Sequence, residues 1–186
     1  MSNTLIVIVG MPGSGKTFAG TVMKKRFNAL VLETGDIIRE EIKRRGWKYT
    51  PETDKKIRNW FHPGREHIIV ERLVKKLKKS RKRTKVIVGF RCLKEIKLLK
   101  KLYKEKIIVI AIISSFKIRA QREIRRKRFG KSESLEYLGK RDANEKKIGL
   151  VNLIKNADFR INNSKLSKRQ METKLVKLVN SKIIQI

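Results

Sequence analysis

Runs of consecutive apolar residues alternate along the chain with stretches in which apolar residues recur every three or four positions. Leu5-Ile6-Val7-Ile8-Val9 is one such run, the mark of a strand buried on both faces of a parallel sheet. Residues 29–32, 86–88, 107–113 and 157–161 read as further strands. The intervening stretches have helical spacing. Phe18, Val22 and Met23 share one face after the first strand, and Ile37, Ile38, Glu41 and Ile42 share another. Thr34 or Asp36 could cap that second helix, which is expected to run to Gly46. A longer helix is expected from near Gly64 to Lys79, with Ile68, Ile69, Leu73, Val74 and Leu77 inward. Residues 93–103, 118–128 and 170–179 fit helices too, the last with Met171, Leu175, Val176 and Val179 toward the core. Strands alternating with helices predict an α/β fold: a parallel sheet of about five strands with helices on both faces, three layers in all. With no internal repeat or low-complexity linker, the 186 residues are expected to form a single domain over 1–186.

Between the first strand and the first helix stands Gly10-Met11-Pro12-Gly13-Ser14-Gly15-Lys16-Thr17, which fits G-x-x-x-x-G-K-[ST] at every fixed position. The strand–turn–helix context gives the match its chemistry. Glycines let backbone N–H groups converge on phosphate oxygens, and the helix N-terminus favours the negative charge. Lys16 would reach the β- and γ-phosphates, and the Thr17 hydroxyl would ligate Mg²⁺. A P-loop NTPase that binds a nucleoside triphosphate with Mg²⁺ is therefore expected.

Composition narrows the setting. Cys92 is the sole cysteine, which excludes an internal disulfide, and nothing near it in sequence reads as a metal site. No apolar stretch approaches membrane-spanning length and no signal peptide is recognisable, so a cytoplasmic protein is expected, with no membrane partner. The charge is less ordinary. Lys and Arg number 49 against 17 Asp and Glu, a formal net charge of +32. Heat-adapted proteins intersperse the two signs as networks, but here the acids are too few for that. Such an excess attracts polyanions.

The segment Glu33-Thr34-Gly35-Asp36-Ile37-Ile38-Arg39 follows the second strand, at the sheet edge where open α/β folds bind ligands. Thr-Gly-Asp with Arg39 beyond it resembles the monophosphate-binding segment of adenylate kinases. The stretch from Pro63-Gly64-Arg65 to Leu73 resembles the helix after their acceptor-binding arm. Val88-Gly89-Phe90-Arg91 resembles a shortened Asp-Gly-Phe-Pro-Arg turn, and Arg141-Asp142-Ala143-Asn144-Glu145 with Gly149 resembles the lid end of an archaeal adenylate-kinase-related group. The resemblance covers nearly the whole chain. It implies a nucleoside-monophosphate-kinase-like fold with an acceptor arm at about 34–66 and a lid at about 122–141. It implies transfer of phosphate from ATP to AMP or a similar small phosphate-bearing acceptor. Thr34, Gly35, Asp36, Arg39 and Arg91 would hold the acceptor. Arg122, Arg126 and Arg141 would act with Lys16 on the transferring group, and Asn163 would flank the adenine. Asp36 would join Thr17 at the metal.

Each assignment has a plainer rival. Arg122 and Arg126 lie four apart on a basic helix and could form a solvated face. Arg141 could pair with Glu145 across one helical turn, and Thr34 and Asp36 could be a helix cap. His62 and His67 are expected in packing or surface roles. The expected lid segment, 129–134, has no Cys or His, which excludes a zinc-stapled lid. One departure from the family stands out: Val88 occupies the position where these kinases carry an acid that orders Mg²⁺, so Asp36, or another carboxylate such as Glu33, has to serve.

Residues 75–85 form the densest positive run, KKLKKSRKRTK. Because it precedes the third strand, it is expected at the amino edge of the sheet, away from the P-loop. It reads either as a solvated turn or as a footprint for RNA or another polyanion. The alternative function is accordingly a nucleotide-dependent RNA- or ribosome-associated switch with weak or no kinase activity.

Overall fold

β1 (Thr4–Val9) lies at the centre of a parallel sheet, flanked by β3 (Lys85–Val88) on one side and β4 (Lys106–Ile113) on the other. β2 (Leu30–Glu33) and β5 (Phe159–Asn162) are the edges, giving the order β2-β3-β1-β4-β5. The computed structural model describes residues 4–126 and 134–183. All five strands fall on the expected apolar runs. β5 starts at Phe159 rather than 157, because Ala157 still closes the preceding helix and the Asp158 carboxylate accepts from the Val109 N–H at 2.7 Å.

The pleat sends alternate residues to opposite faces, and each face has its own core. Ile6, Ile8, Val86, Val88, Ile108 and Ile110 pack against α1 (Lys16–Phe27) and α9 (Lys168–Lys182) through Val22, Met23, Met171, Leu175 and Val179. Leu5, Val7, Val9, Ile87 and Val109 face the other layer: α2 (Thr34–Arg44), α3 (Pro51–Phe61), α4 (Glu66–Lys79), α5 (Leu93–Leu102) and α8 (Leu150–Lys155). The three-layer α/β/α arrangement is the one the apolar pattern implies. α6 (Phe116–Arg126) follows β4, and α7 (Leu135–Ile148) precedes α8. Among the described residues, no helix is long and apolar enough to cross a membrane.

Two expectations are revised. Neither Thr34 nor Asp36 caps α2. Glu33 holds the cap position without a side-chain bond, while the Thr34 hydroxyl donates to the Gly89 carbonyl at 2.9 Å and Asp36 pairs with Arg39. The ends of β2 and β3 are thereby tied together. Helices α3, α7 and α8 were not anticipated. α3 has legible start signals in Thr50 as N-cap, Pro51 at the first helical position and a capping box with Thr53. Its inward face, however, mixes Ile57 and Phe61 with Asp54 and Arg58. α7 turns Leu138, Asp142 and Glu145 inward, so its buried stripe is mostly charged and a search for apolar periodicity passes over it.

Candidate active site

The P-loop leaves the carboxyl end of β1 and enters α1 at Lys16. Three side chains take up its carbonyls from behind. Arg119 donates to the Pro12 carbonyl at 3.1 Å, Asn163 Nδ2 donates to that of Ser14 at 2.8 Å, and Arg122 reaches those of Asn163 at 2.9 Å and Gly13 and Ser14 at 3.5 Å. Carbonyls held on that side leave the loop's N–H groups for the other, the polarity an anion requires. Gly13 has φ +76°, and a Cβ there would lie 2.6 Å from the Arg119 carbonyl oxygen, so the loop can sit this close to α6 only with glycine. Arg119 is itself buried and fixed by two bonds to Asp142 on α7.

In front of the loop opens a cleft of about 630 Å³. Pro12, Gly13, Lys16 and Thr17 form one wall; Glu33, Thr34, Gly35 and Arg39 form a second; Val88, Gly89, Phe90 and Arg91 form a third. Arg58 from α3, Glu123 and Arg126 from α6, and Arg141 and Glu145 from α7 roof it. Gly89 has φ +106°, and a Cβ there would stand 2.6 Å from the Thr34 hydroxyl, so its lack of a side chain allows the second and third walls to meet.

The cations of this cleft lean on carboxylates of the same protein. Arg141 lies 3.0 Å and Arg126 3.6 Å from Glu123, while Arg91 Nη1 lies 3.3 Å from Glu145 Oε1 without a well-aligned hydrogen bond. Arg58 makes a two-point pair with Asp54. Lys16 Nζ donates to the Met11 carbonyl at 3.2 Å. Burial, with the positive charge of Arg141 beside it, pushes the Lys16 ammonium down to about 8. A dianionic phosphate would reverse that shift, because an opposite charge at contact favours the protonated form.

Of the residues singled out in the sequence, Gly10, Pro12, Gly13, Lys16, Thr17, Thr34, Gly35, Arg39, Arg91, Arg126 and Arg141 line this one cleft. Met11, Ser14 and Gly15 complete the loop. Arg122 and Asn163 stand behind it. Asp36 is exposed, paired with Arg39, and does not line the cleft. Part of the expected lid, 127–133, lies outside the described residues. His62 is buried with Nε2 3.2 Å from Glu95 Oε1, and Glu95 also accepts from the N–H groups of Arg91 and Cys92. This pair fixes the turn that presents Arg91. His67 is exposed. Cys92 is buried, and burial followed by the Glu95 charge pushes its thiol up to about 12, so it is protonated at neutral pH.

Sequence reading missed Arg58, Glu123 and Glu145 as cleft residues. Arg58 sits on an unanticipated helix, four residues from Asp54. A buried acid–base pair at that spacing looks in sequence like any solvated helical pair.

Residues 9–148 match the model of the AAA domain family. The chain is 37% identical to the UPF0200 protein of Pyrococcus abyssi over 86% of this chain and 87% of that one. With the UPF0200 protein of Hyperthermus butylicus the identity is 31% over 95% and 93%. The chain belongs to the UPF0200 family. In this UPF0200 chain the matched AAA segment starts at the last residue of β1 and ends with α7, so it spans the P-loop and every cation of the cleft. The fold is that of P-loop kinases. A shikimate kinase from Acinetobacter baumannii superposes with a TM-score of 0.60 at 18% identity, covering 96% of this chain and 93% of that one. A second, from Aquifex aeolicus, superposes at 0.57 with 15% identity, over 93% and 94%.

Proposed function

We propose that this protein transfers the γ-phosphoryl group of ATP to a small phosphate-bearing acceptor, with AMP the first to try. The observation that carries this reading is the convergence of Lys16 and five arginines (39, 58, 91, 126 and 141) on one cleft between the P-loop and the Thr34–Arg39 wall. Phosphoryl transfer needs two phosphates brought into line and positive charge spread around the group that moves. The P-loop amides and Lys16 hold the β- and γ-phosphates. Arg39, Arg58 and Arg91, on the opposite side, grip the acceptor phosphate through planar two-point bonds. Arg126 and Arg141 leave Glu123 for the transferring group as the phosphates enter. Arg122 and Asn163 keep the loop in shape.

Mg²⁺ fits the donors available. It is a hard cation that prefers oxygen ligands, usually one or two from protein beside water and substrate phosphate. The Thr17 hydroxyl is exposed to the cleft. Glu33 also lines the cleft, and its carboxylate makes no hydrogen bond or ion pair among the described residues. Glu33 is the register partner of Val88, so a carboxylate stands on the neighbouring strand, on the same sheet face, beside the position where the family's acid is missing. Thr17 and Glu33 are therefore the metal-holding pair in this proposal, and Asp36, engaged by Arg39 at the rim, is set aside. When bound, the ion would neutralise charge on the β- and γ-phosphates.

The test is ADP formation from MgATP with and without AMP, with Lys16→Ala as control. Two ADP per ATP consumed, only when AMP is present, and loss of turnover in Lys16→Ala with an unchanged fold, are the expected results. Unchanged turnover in Lys16→Ala would sink the mechanism. A second reading, a nucleotide-dependent switch acting with RNA, draws on Val88. AMP-independent hydrolysis, or tight nucleotide binding with no turnover, would favour it.

A further inference from the structure

The most unusual property of the chain, its +32 charge, is not used up by the cleft, where arginines are matched by Glu123, Glu145 and Asp54. A large part of the surplus lies at the opposite edge of the sheet. In a parallel α/β fold every strand starts at that edge, and the helices that lead back to it end there. The strand starts are level: Thr4 is the register partner of Lys106, and Lys85 is the partner of both Leu5 and Leu30. Three connections meet around them. The last turn of α1 is Lys24-Lys25-Arg26, the end of α4 and its connection to β3 carry residues 75–85, and the end of α5 and its connection to β4 carry residues 100–106. Contacts knit them together. The Leu30 N–H donates to the Thr84 carbonyl at 2.9 Å, Lys82 Nζ donates to Asn28 Oδ1 at 2.7 Å, and Lys85 Nζ reaches the Tyr103 hydroxyl at 2.9 Å.

These three segments contain one acidic residue, Glu105, and it is turned toward Lys85 and Tyr103. Among the described residues, Arg26 and Lys76 are the only cations of these segments that another helix's carboxylate holds. Apart from these two and the buried Lys85, the cations of the three segments are exposed. The cations at the end of α2 are treated differently: Glu41 alone takes Arg44, Arg45 and Arg72. Leaving one edge unmatched raises self-repulsion and gains nothing for the fold.

We propose that the amino edge of the sheet is a docking surface for a nucleic acid duplex, held through its phosphate backbone. Charge complementarity is the first argument, since duplex DNA, for example, presents about one negative charge per 1.7 Å of axis. The second is what the edge lacks. Tyr103 is buried, and among the described residues the large apolar side chains that are exposed are Phe116 and Leu135, at the starts of α6 and α7. Single-strand readers stack bases on aromatic rings, and membrane-surface helices insert apolar ones; among the described residues this edge exposes neither. A row of phosphates is the partner that needs only cations. The surface stands whether or not the cleft turns over ATP. α1 starts at the P-loop and ends at this edge after 12 residues, about 18 Å away, so the two sites do not overlap.

The experiment measures binding of a fluorescent 20-bp RNA duplex to the full chain between 50 and 200 mM KCl. One variant removes four cations from the edge (Lys79→Ala, Arg81→Ala, Lys82→Ala, Arg83→Ala). A second removes four exposed cations from the other edge (Lys146→Ala, Lys147→Ala, Lys168→Ala, Arg169→Ala). Expected are a steep salt dependence, an affinity loss of more than about tenfold, and a log–log slope shallower by about 3 to 4 in the first variant, while the second changes affinity less than about threefold. Circular dichroism melting shows that both variants stay folded. Equal losses in the two variants would overturn the proposal, because net charge rather than this edge would then be responsible. So would a flat salt response, or tighter binding to single strands or to vesicles of three parts phosphatidylcholine to one part phosphatidylserine.

Discussion

The two edges of one sheet treat positive charge in opposite ways. At the carboxyl edge, four arginines are drawn inward and set against carboxylates: Arg119 on Asp142, Arg58 on Asp54, Arg91 on Glu145, Arg141 on Glu123. At the amino edge, lysines and arginines stand in water with almost no acids near them. The difference follows from solvation. A charge removed from water must be paired or it destabilises the fold by several kcal/mol, whereas an exposed one is screened within about 8–10 Å. The carboxyl edge is thus an internally balanced machine part whose arginines can trade a protein carboxylate for a substrate phosphate. The amino edge has few carboxylates to trade, and its exposed cations are what the proposed duplex would engage.

The contrast can be broken most forcefully at Asp142. Asp142→Ala leaves the buried Arg119 guanidinium without its carboxylate and should cost about 3–5 kcal/mol, measured by urea unfolding. A cost below 1 kcal/mol would mean that the roof is not a tightly balanced network. Arg58→Lys keeps the charge but loses the planar two-point bond. It should lower turnover with AMP by roughly 10- to 100-fold, with most of the change in kcat/KM for the acceptor rather than for ATP, if Arg58 grips the acceptor phosphate. An equal loss for both substrates would reassign Arg58 to the fold. Glu33→Gln should raise the Mg²⁺ concentration needed for half-maximal activity by roughly tenfold, with ATP affinity in the absence of metal little changed. An unaltered Mg²⁺ titration would return the metal to Asp36 or to water alone.

A smaller effect concerns protons. Burial in the cleft lowers the Lys16 ammonium from its ordinary value to about 8. Bound polyphosphate would raise it again, so nucleotide binding should take up a proton only where the free protein has lost one. Uptake should be near zero at pH 6.5 and rise toward about one proton by pH 9. Calorimetry in two buffers of different ionisation enthalpy measures it, and uptake that persists in Lys16→Ala would assign the proton elsewhere. The smallest effect belongs to the amino edge. Removing the four cations at 79, 81, 82 and 83 should change unfolding stability by less than about 0.5 kcal/mol, and any change should be a gain through reduced repulsion.

The apolar layers were readable in advance. Continuous runs such as residues 5–9 read as strands buried on both faces, and Met171, Leu175, Val176 and Val179, spaced by three and four, form one inward stripe on a helix. The P-loop was readable because its residues are local and their chemistry does not depend on the rest of the chain. The roof was not. α6 and α7 bury Arg119, Glu123, Asp142 and Glu145, so their inward faces look like solvated faces in sequence. A local pairing of Arg141 with Glu145 was a reasonable reading, yet Arg141 goes to Glu123 and Glu145 to Arg91. Thr34, a cap candidate by sequence, instead ties two strand ends together.

By itself, then, the sequence determined the layers, the position of the phosphate loop and the excess of positive charge, because each rests on short-range pattern or on simple addition. Only the tertiary structure decided which arginine meets which carboxylate, that Glu33 stands beside Val88, and that three separate basic segments meet on one edge. Those facts depend on groups up to 149 residues apart, as in the bond from Asn163 Nδ2 to the Ser14 carbonyl, being brought within hydrogen-bonding distance by the order of the strands. Strand order is a property of the packed sheet as a whole, and no local window of the chain contains it.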